Sequence, residues 1–456
     1  MKTECKQFEL NLQGSHGKKI VIRNDGEITS SDGGLVILQQ IERRRGFIAN
    51  MAACCEDHRQ RGKTNFSVTE LLTQRIFGIC LGYEDLNDHD EWRHDLLLGL
   101  ACGREQESGA LAGKSTLNRL ELCARDKAES DRYHKLDWDG TAIRQFFVDA
   151  FLGSYERPPA EIVLDFDATD DPVHGEQEGR FFHGYYDEYC FLPLYVFCGE
   201  HLLAADLRTA DQDAAAGSTP TLAFLVNRIR EAWPDTRIIA RADSGFCRDD
   251  FMTWCEEHEV EYVIGLARNI RLVRKLAPSL REAREGFDRT GHGYRVFREL
   301  TYRTRSSWSQ SRRVVGKAEH LAKGPNPRFV VTNLPTESWP AKELYEELYC
   351  ARGNMENRIK EQQLFLFADR TSCHAFKANQ LRLWLSSVAY LFFVELRRTA
   401  LTGTELAAAQ VSTIRLKLLK VAVTVSVSVR RIVLRLTRAY PYWDLWRSCM
   451  RAFSSA

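Results

Sequence analysis

The segment 162–167 alternates apolar and acidic side chains, and it constrains the fold more than any other part of the sequence. One face of the predicted strand carries Ile162, Leu164 and Phe166, and the other carries Val163, Asp165 and Asp167. Such a strand is buried on its first face and presents carboxylates on its second. A lone buried carboxylate is costly unless it is paired or bound to a metal. Another segment or an ion must therefore compensate these charges.

Two further acids occur where a site in an α/β sheet is expected. The predicted strand 237–242 is followed directly by Asp243, and ligand sites in such sheets favour the C-terminal ends of strands. The helical stretch 341–366 carries Glu356 between Arg352 and Lys360. Tyr349 and Gln363 continue this polar stripe at steps of three and four residues, beside an apolar stripe that packs on the sheet.

Three carboxylates from two strands and a helix form a donor set for two Mg²⁺ or Mn²⁺ ions, which prefer oxygen ligands. Two ions about 3.5–4 Å apart clamp a phosphodiester during in-line displacement. Each acid also has a structural interpretation. Asp165 is then a strand residue, Asp243 a turn residue and Glu356 the i,i+4 partner of Lys360. Asp165 and Asp167 share a face, and the position of Asp167 at the strand end favours it as the ligand.

Charge is distributed unevenly although the net charge is only +1. Residues 161–215 contain 13 acidic and 2 basic residues, and residues 411–456 contain 1 acidic and 9 basic residues. An acidic pocket beside basic surfaces suits an enzyme that holds divalent metal and binds a polyanion. The arginines of the basic tail, Arg430, Arg431, Arg435 and Arg438, either grip a DNA backbone or are solvated charges on an edge strand.

Other classes of protein do not fit the composition. The 13 cysteines include no CxxC pair, which argues against a zinc site and favours free thiols in a reducing compartment. The N-terminus lacks the apolar run of a signal peptide, and the apolar segment 383–396 is too short to span a bilayer. These features predict a soluble, cytoplasmic protein without a membrane partner.

The chain divides into five predicted regions. Residues 1–155 are mostly helical, with helices over 34–45, 68–81 and 117–126. Residues 156–268 mix strands and helices as in an α/β layer fold, and the pattern of residues 269–340 predicts a β-rich insertion. Residues 341–400 are helical, and residues 401–456 form a basic tail with a strand over 421–429. Strands are predicted over 162–168, 191–198, 202–207, 237–242, 262–267, 294–305 and 328–331, with helices over 219–233 and 249–258.

Several blocks of the sequence resemble DDE-type insertion-sequence transposases, most closely the insertion sequence 1380 family. The central blocks are LDFDATDDPVHGEQEG, YYDEYCFLPLYVF, RADSGF, YCARGNMENRIKE and HAFKANQLRLWL. The N-terminal blocks are ITSSDGGLVILQQIERRRG, GYEDLNDHDEWRHD and LAGKSTLNRLE. The resemblance covers nearly the whole chain.

This resemblance implies an RNase H-like catalytic core with a β-rich insertion, in which Asp167, Asp243 and Glu356 bind two metal ions. It also implies DNA contacts from Tyr349, Arg352 and Lys360. The wider group has a lysine seven residues beyond the third acid, and this chain has Gln363 there instead.

The implied activity is cleavage at the ends of an insertion sequence and strand transfer into target DNA. Residues 1–155 would bind the terminal inverted repeats, and a homo-oligomer, expected to be a dimer, would assemble with the DNA at the bacterial nucleoid. Two alternatives remain open: a catalytically inactive DNA-binding derivative and a stand-alone nuclease with the same core.

Overall fold

The computed structural model describes residues 26–104, 109–123 and 133–454, together with the strands Gln7–Gln13 and Lys19–Arg23. The α-helices are α1 (Leu35–Arg45), α2 (Phe47–Ala53), α3 (Val68–Leu81), α4 (Asp88–Trp92), α5 (Leu96–Ala101), α6 (Lys114–Glu121), α7 (Gly140–Leu152), α8 (Ser218–Ala232), α9 (Asp249–Glu257), α10 (Ile270–Thr290), α11 (Ala341–Glu343), α12 (Gly353–Leu366), α13 (Phe376–Leu396), α14 (Val411–Ile414) and α15 (Trp443–Ser454). Short 3₁₀ turns cover Arg61–Lys63, Ser244–Phe246 and Cys350–Arg352, and π-helical turns cover Leu344–Tyr349, Arg397–Leu401 and Arg415–Leu419.

The strands are β1 (Gln7–Gln13), β2 (Lys19–Arg23), β3 (Thr29–Ser30), β4 (Cys55–Asp57), β5 (Leu136–Trp138), β6 (Glu161–Ala168), β7 (Asp171–Pro172), β8 (Phe181–His183), β9 (Glu188–Phe191), β10 (Leu194–Cys198), β11 (His201–Asp206), β12 (Arg237–Ala242), β13 (Glu261–Leu266), β14 (Tyr294–Tyr302), β15 (Arg312–Leu321), β16 (Gly324–Pro325), β17 (Arg328–Thr332), β18 (Val423–Ser428) and β19 (Arg431–Leu436).

A nine-stranded sheet lies at the centre of the described chain, in the order β11-β10-β6-β12-β13-β17-β15-β14, with β16 paired to β15. β6, β12 and β13 run parallel, β10 is antiparallel to β6, and β11 is antiparallel to β10. β17, β15 and β14 continue the sheet in antiparallel pairing beyond β13. The parallel strands are therefore buried in the interior of the sheet, as parallel strands normally are.

The two faces of the sheet are covered by different elements. Leu164 and Ile238 lie on the face that packs with buried residues of α8, α9 and α10. Ile239 and Val263 lie on the opposite face and pack with Leu344 and its neighbours in the π-helical turn. This second face is also the face of Asp165 and Asp167, because side chains alternate along a strand.

The apolar segment 383–396 forms a core helix. Every residue from 383 to 396 is buried within α13, which contacts α3 and β11. A helix that is apolar on all sides is stable when it is surrounded by protein. Among the helices of the described residues, none is both long and apolar enough to cross a membrane.

Two buried glutamates connect separate regions of the chain through ion pairs with arginines. Glu121 of α6 binds Arg75 of α3 and Arg382 of α13, each at 2.7 Å. On α12, the carboxylate of Glu361 binds Arg397 and also accepts the backbone N–H of Val411 at 2.6 Å. The N-terminal helices and the C-terminal segment are thus attached to the same pair of helices, α12 and α13.

The predicted helix over 117–126 corresponds to α6, which covers Lys114–Glu121, and residues 124–126 lie outside the described residues. The structure differs from the sequence prediction in three further segments. Residues 269–340 begin with the 21-residue helix α10, which the sequence reading missed, and the strands that follow extend the central sheet. Pro278 lies inside α10, where a proline normally disfavours a helix, but a regular apolar stripe including Leu272 and Leu276 is buried and stabilises it. The predicted strand 191–198 is two strands, β9 and β10, because Pro193 cannot donate a ladder hydrogen bond.

The tail is the third difference. The predicted single strand over 421–429 is the first half of a hairpin, in which β18 pairs with β19 and also with β3. Arg435 donates a hydrogen bond to Ser426 at 2.7 Å across this hairpin. A DNA-binding role for the tail arginines stays a prediction.

Candidate metal-dependent active site

Asp167 lies near the C-terminal end of β6 and is largely buried. Its side chain is 15% exposed, and one carboxylate oxygen accepts the backbone N–H of Ala168 at 3.0 Å. The pKa of Asp167 is raised to about 6, mainly by burial; Arg352 opposes this shift, and the charges of Asp243 and Glu356 add to it. A carboxyl group whose pKa is raised by burial and by neighbouring charges is a candidate for a functional site.

Asp243 follows β12 at the same edge of the sheet. In the parallel pairing of β6 with β12, Ala242 is opposite Phe166, so Asp243 and Asp167 emerge side by side. The Asp243 carboxylate caps the 3₁₀ turn Ser244–Phe246 by accepting the N–H of Gly245 at 2.8 Å. This cap fixes the side chain at the strand end while 44% of it stays exposed.

Arg352 binds both aspartates. Its Nη2 atom lies 2.7 Å from Asp167 and 3.9 Å from Asp243. The Nε atom of the same guanidinium is buried and has no hydrogen-bond partner among the described residues. Arg352 thus neutralises the two acids with one nitrogen and leaves another unsatisfied.

Glu356 lies one turn further along α12 and faces solvent. Its carboxylate, 65% exposed, pairs with Lys360 at 2.6 Å. The hydrogen bond from Lys360 holds the pKa of Glu356 below its usual value. The negative charge of Glu356 also raises the pKa of Asp167, but less than burial or the charge of Asp243 does.

Tyr349 reaches the site through a close contact with the sheet. A Cβ atom added to Gly265 of β13 would lie 2.6 Å from the Tyr349 hydroxyl and 2.8 Å from the backbone nitrogen of Ser244. Burial raises the pKa of Tyr349. Only glycine at position 265 lets the tyrosine and the Asp243 turn approach β13 together.

Asp165 has a different role from Asp167 although both lie on the same face. Arg241, its neighbour across the parallel strands, binds it through two hydrogen bonds of 2.5 and 2.8 Å and also donates to the carbonyl of Leu348. Both side chains are buried. Asp165 is therefore compensated by a fixed cation. The sequence reading missed Arg241, although it stands two residues before Asp243 in RADSGF.

Gln363 occupies the position where the resemblance led us to expect a lysine. Its amide nitrogen donates to the carbonyl of Asp170 at 3.0 Å, which joins α12 to the loop after β6. Lys360, one turn earlier, is 57% exposed and reaches Glu356. Within this polar stripe, the cations that contact the acids are therefore Arg352 and Lys360.

The donor set fits a hard divalent ion in chemistry, because all three side chains supply carboxylate oxygens. Within the part of the chain that the structure describes, however, no three acidic, histidine or cysteine side chains converge closely enough to hold a metal. Arg352 and Lys360 bind the carboxylates instead. Binding of a divalent ion would therefore require these two side chains to move and the carboxylates to approach one another.

The fold and the acidic cluster with its flanking cations are typical of an enzyme that acts on phosphodiesters. The profile of a protein family described as "Transposase DDE domain group 1" matches residues 12–456. The chain belongs to this family of DNA-acting enzymes, whose members generally use divalent metal ions. No curated protein matches the chain significantly.

Proposed function

We propose that this protein is a DDE transposase that cleaves DNA at the ends of an insertion sequence and joins them to target DNA, with Asp167, Asp243 and Glu356 as the catalytic acids. The observation that carries the proposal is the bridge of Arg352 between Asp167 and Asp243 at the ends of adjacent parallel strands. Glu356 follows on the same helical segment within electrostatic reach. We also propose that the element belongs to the insertion sequence 1380 family.

The strand order supports an RNase H-like core. Three antiparallel strands in chain order, β6, β10 and β11, are followed by two strands, β12 and β13, that lie parallel to β6 on its other side. Helix α8 connects β11 to β12, and helix α9 connects β12 to β13. The two aspartates lie at the ends of the two central strands of this unit.

The proposed cofactor is a pair of Mg²⁺ or Mn²⁺ ions held by Asp167, Asp243 and Glu356. When bound, such a pair activates the attacking oxygen and stabilises the leaving oxygen of a phosphodiester. The protein supplies position: the Ala168 N–H orients Asp167, and the Gly245 N–H orients Asp243. Arg352 and Lys360 lie beside the acids, where each is within reach of a phosphate of the bound strand.

The proposed DNA contacts include the N-terminal region as the reader of the terminal inverted repeats. A cavity of about 660 Å³ lies between the 3₁₀ turn Arg61–Lys63 and α6, and no acidic side chain is found among the described residues that line it. Its basic lining side chains are His58, Arg59, Lys63, Arg119 and Lys135. A basic concave surface of this kind attracts a phosphate backbone. We propose a homodimer on DNA at the nucleoid.

The test is a cleavage and strand-transfer assay on linear DNA that carries the element's ends, with Mg²⁺ or Mn²⁺. D167N, D243N and E356Q should each reduce cleavage by about three orders of magnitude while DNA binding persists, because each removes a carboxylate charge without changing the shape of the side chain. The matched control is E347Q, an exposed glutamate upstream on the same helical segment, which should cleave like the wild-type protein.

Two outcomes would contradict the proposal. Cleavage without joining by the wild-type protein indicates a nuclease, and binding without cleavage indicates an inactive derivative. D165N is a further control: because Asp165 is half of a buried ion pair, this variant should lose thermal stability, which D167N should retain.

A further inference from the structure

We propose that Arg352 and Lys360 are exchangeable cations. In one state of the enzyme they form ion pairs with the three carboxylates. When divalent ions bind the carboxylates, the two side chains bind DNA phosphates instead. Metal binding and DNA binding at the site are then coupled through the same two side chains. This inference rests on the proposed function and adds a regulatory property to it.

The ion pairs of Arg352 with the two aspartates leave part of its hydrogen-bonding capacity unused. A single nitrogen, Nη2, serves Asp167 at 2.7 Å and Asp243 at 3.9 Å, and the buried Nε has no partner among the described residues. An unsatisfied buried donor costs free energy that a better acceptor recovers. A phosphate offers two oxygens to the planar guanidinium and satisfies Nε and Nη2 together.

Arg241 provides the contrast within the same site. Its guanidinium makes two parallel hydrogen bonds to Asp165 and a third to the carbonyl of Leu348, so all three of its nitrogens have partners. Both members of this pair are buried. Arg241 is therefore a structural cation. Arg352 is 20% exposed and has only part of its hydrogen-bond donors paired, so it is able to leave the aspartates for another partner.

Lys360 is bound even more weakly. Its ion pair with Glu356 is exposed on both sides, with 57% of the lysine side chain and 65% of the glutamate side chain accessible. Exposed pairs of this type contribute little stability. A divalent ion at Glu356 displaces the ammonium group at small cost, and the free Lys360 then extends from the same face of α12 as Arg352.

The exchange has a measurable electrostatic signature. Two side-chain cations are released from carboxylates for each site that takes up divalent ions. Each new contact with a phosphate steepens the dependence of log affinity on log salt concentration by about 0.9. The slope for DNA binding should therefore steepen by about 1.8 when Mn²⁺ is present, if both cations move to the DNA.

The first measurement is Mn²⁺ binding to the full-length protein without DNA, by titration calorimetry. R352Q should bind Mn²⁺ about tenfold more tightly than the wild-type protein, because its competitor for Asp167 and Asp243 is gone, and K360Q should gain about two- to fivefold. R358Q removes an arginine of α12 whose charge acts near Cys198 and His201 instead, and it should leave Mn²⁺ affinity unchanged.

The second measurement is the affinity for a duplex without element ends, which cannot be cut at an end. Mn²⁺ should strengthen binding by the wild-type protein and R358Q but not by an R352Q/K360Q double variant. If R352Q binds Mn²⁺ no more tightly than the wild-type protein, or the double variant keeps the full metal-dependent gain, the exchange is wrong. K360Q alters an exposed pair, so it keeps the experiment decisive if R352Q does not fold.

Failure of the exchange is distinguishable from failure of the proposed function. If D167N binds Mn²⁺ as tightly as the wild-type protein, the acidic cluster is not the metal site and both proposals fall. If D167N loses Mn²⁺ binding but R352Q behaves like the wild-type protein, only the exchange is overturned.

Discussion

Asp171, four residues beyond Asp167, is an acidic side chain that is buried without a cation. The residue is 1% exposed, and neither carboxylate oxygen has a hydrogen-bond partner among the described residues. Burial raises the pKa of Asp171 well above its usual value, and the negative charges of Asp369 and Asp170 add to the effect. The folded protein therefore keeps the proton on Asp171 to a higher pH than the unfolded chain, which ionises this carboxyl above about pH 4.

This difference predicts a pH-dependent effect of D171N. The native state binds more protons than the unfolded state between the two pKa values, so the wild-type protein loses stability as pH rises in this window. Asparagine does not ionise. The free energy of unfolding of D171N relative to the wild-type protein should therefore increase as the pH rises above about 4, by up to about 1.4 kcal/mol per pH unit, until the folded-state pKa of Asp171 is reached. Urea denaturation at several pH values measures this difference in stability. The control is D235N, which removes an exposed acid. Parallel curves of stability against pH for D171N and the wild-type protein would contradict the prediction.

The sequence predicted where the helical stretch 341–366 begins and ends, but not which types of helix it contains. It passes from π-helical geometry over Leu344–Tyr349 through a 3₁₀ turn over Cys350–Arg352 to the α-helix α12. Side-chain spacing identified Tyr349, Arg352 and Glu356 as neighbours, but it assumed regular α-helical steps. Helix propensities do not distinguish these windings, which depend on how the turns pack against the sheet.

Gly265 makes this packing testable. In G265A the new methyl group would overlap the Tyr349 hydroxyl and the Ser244 nitrogen, so both the tyrosine and the Asp243 turn must shift. We expect a lower melting temperature and about a hundredfold loss of cleavage, because displacement of a catalytic group by about 1 Å has such an effect. Y349F should rescue G265A only in part, since the backbone overlap stays.

The control for G265A is G184A, because a Cβ at Gly184 meets no atom within 4 Å. Cleavage by G184A should equal that of the wild-type protein. Wild-type cleavage by G265A would show that the contact between β13 and Tyr349 does not position the site.

Patterns within one element predicted more of this fold than relations between elements. The strand over 237–242 and the helix over 68–81 have the predicted bounds, because alternation and helical periodicity are local. The extension of the sheet by β14, β15 and β17 was missed, because pairing with β13 depends on contacts between distant segments. The two candidate aspartates were proposed from their place at strand ends, whereas the cation of Asp165, Arg241, is identified only once the strands are in register.

At the scale of the whole molecule, Glu121 connects the N-terminal helices to the helical layer beside the sheet. Burial alone would raise the pKa of Glu121, but Arg75 and Arg382 hold it below the usual value. E121A leaves two arginines without their partner in the interior and should cost about 3–5 kcal/mol of unfolding free energy. Urea denaturation should show one transition for both proteins, with E347Q as the control. A separate early transition for the N-terminal region in the wild-type protein would contradict this coupling.

The anchoring of α12 by Glu361 determines how the site is able to move. Glu361 lies between α12 and the C-terminal segment, where Arg397 and the backbone of Val411 hold it. The downstream part of α12 is thus fixed to the body of the protein. A displacement of Arg352 from the aspartates must therefore come from rotation of its own side chain or from rewinding of the π and 3₁₀ turns upstream. In the proposed exchange, the irregular turns would be the segment that moves, and the anchored α12 would stay in place.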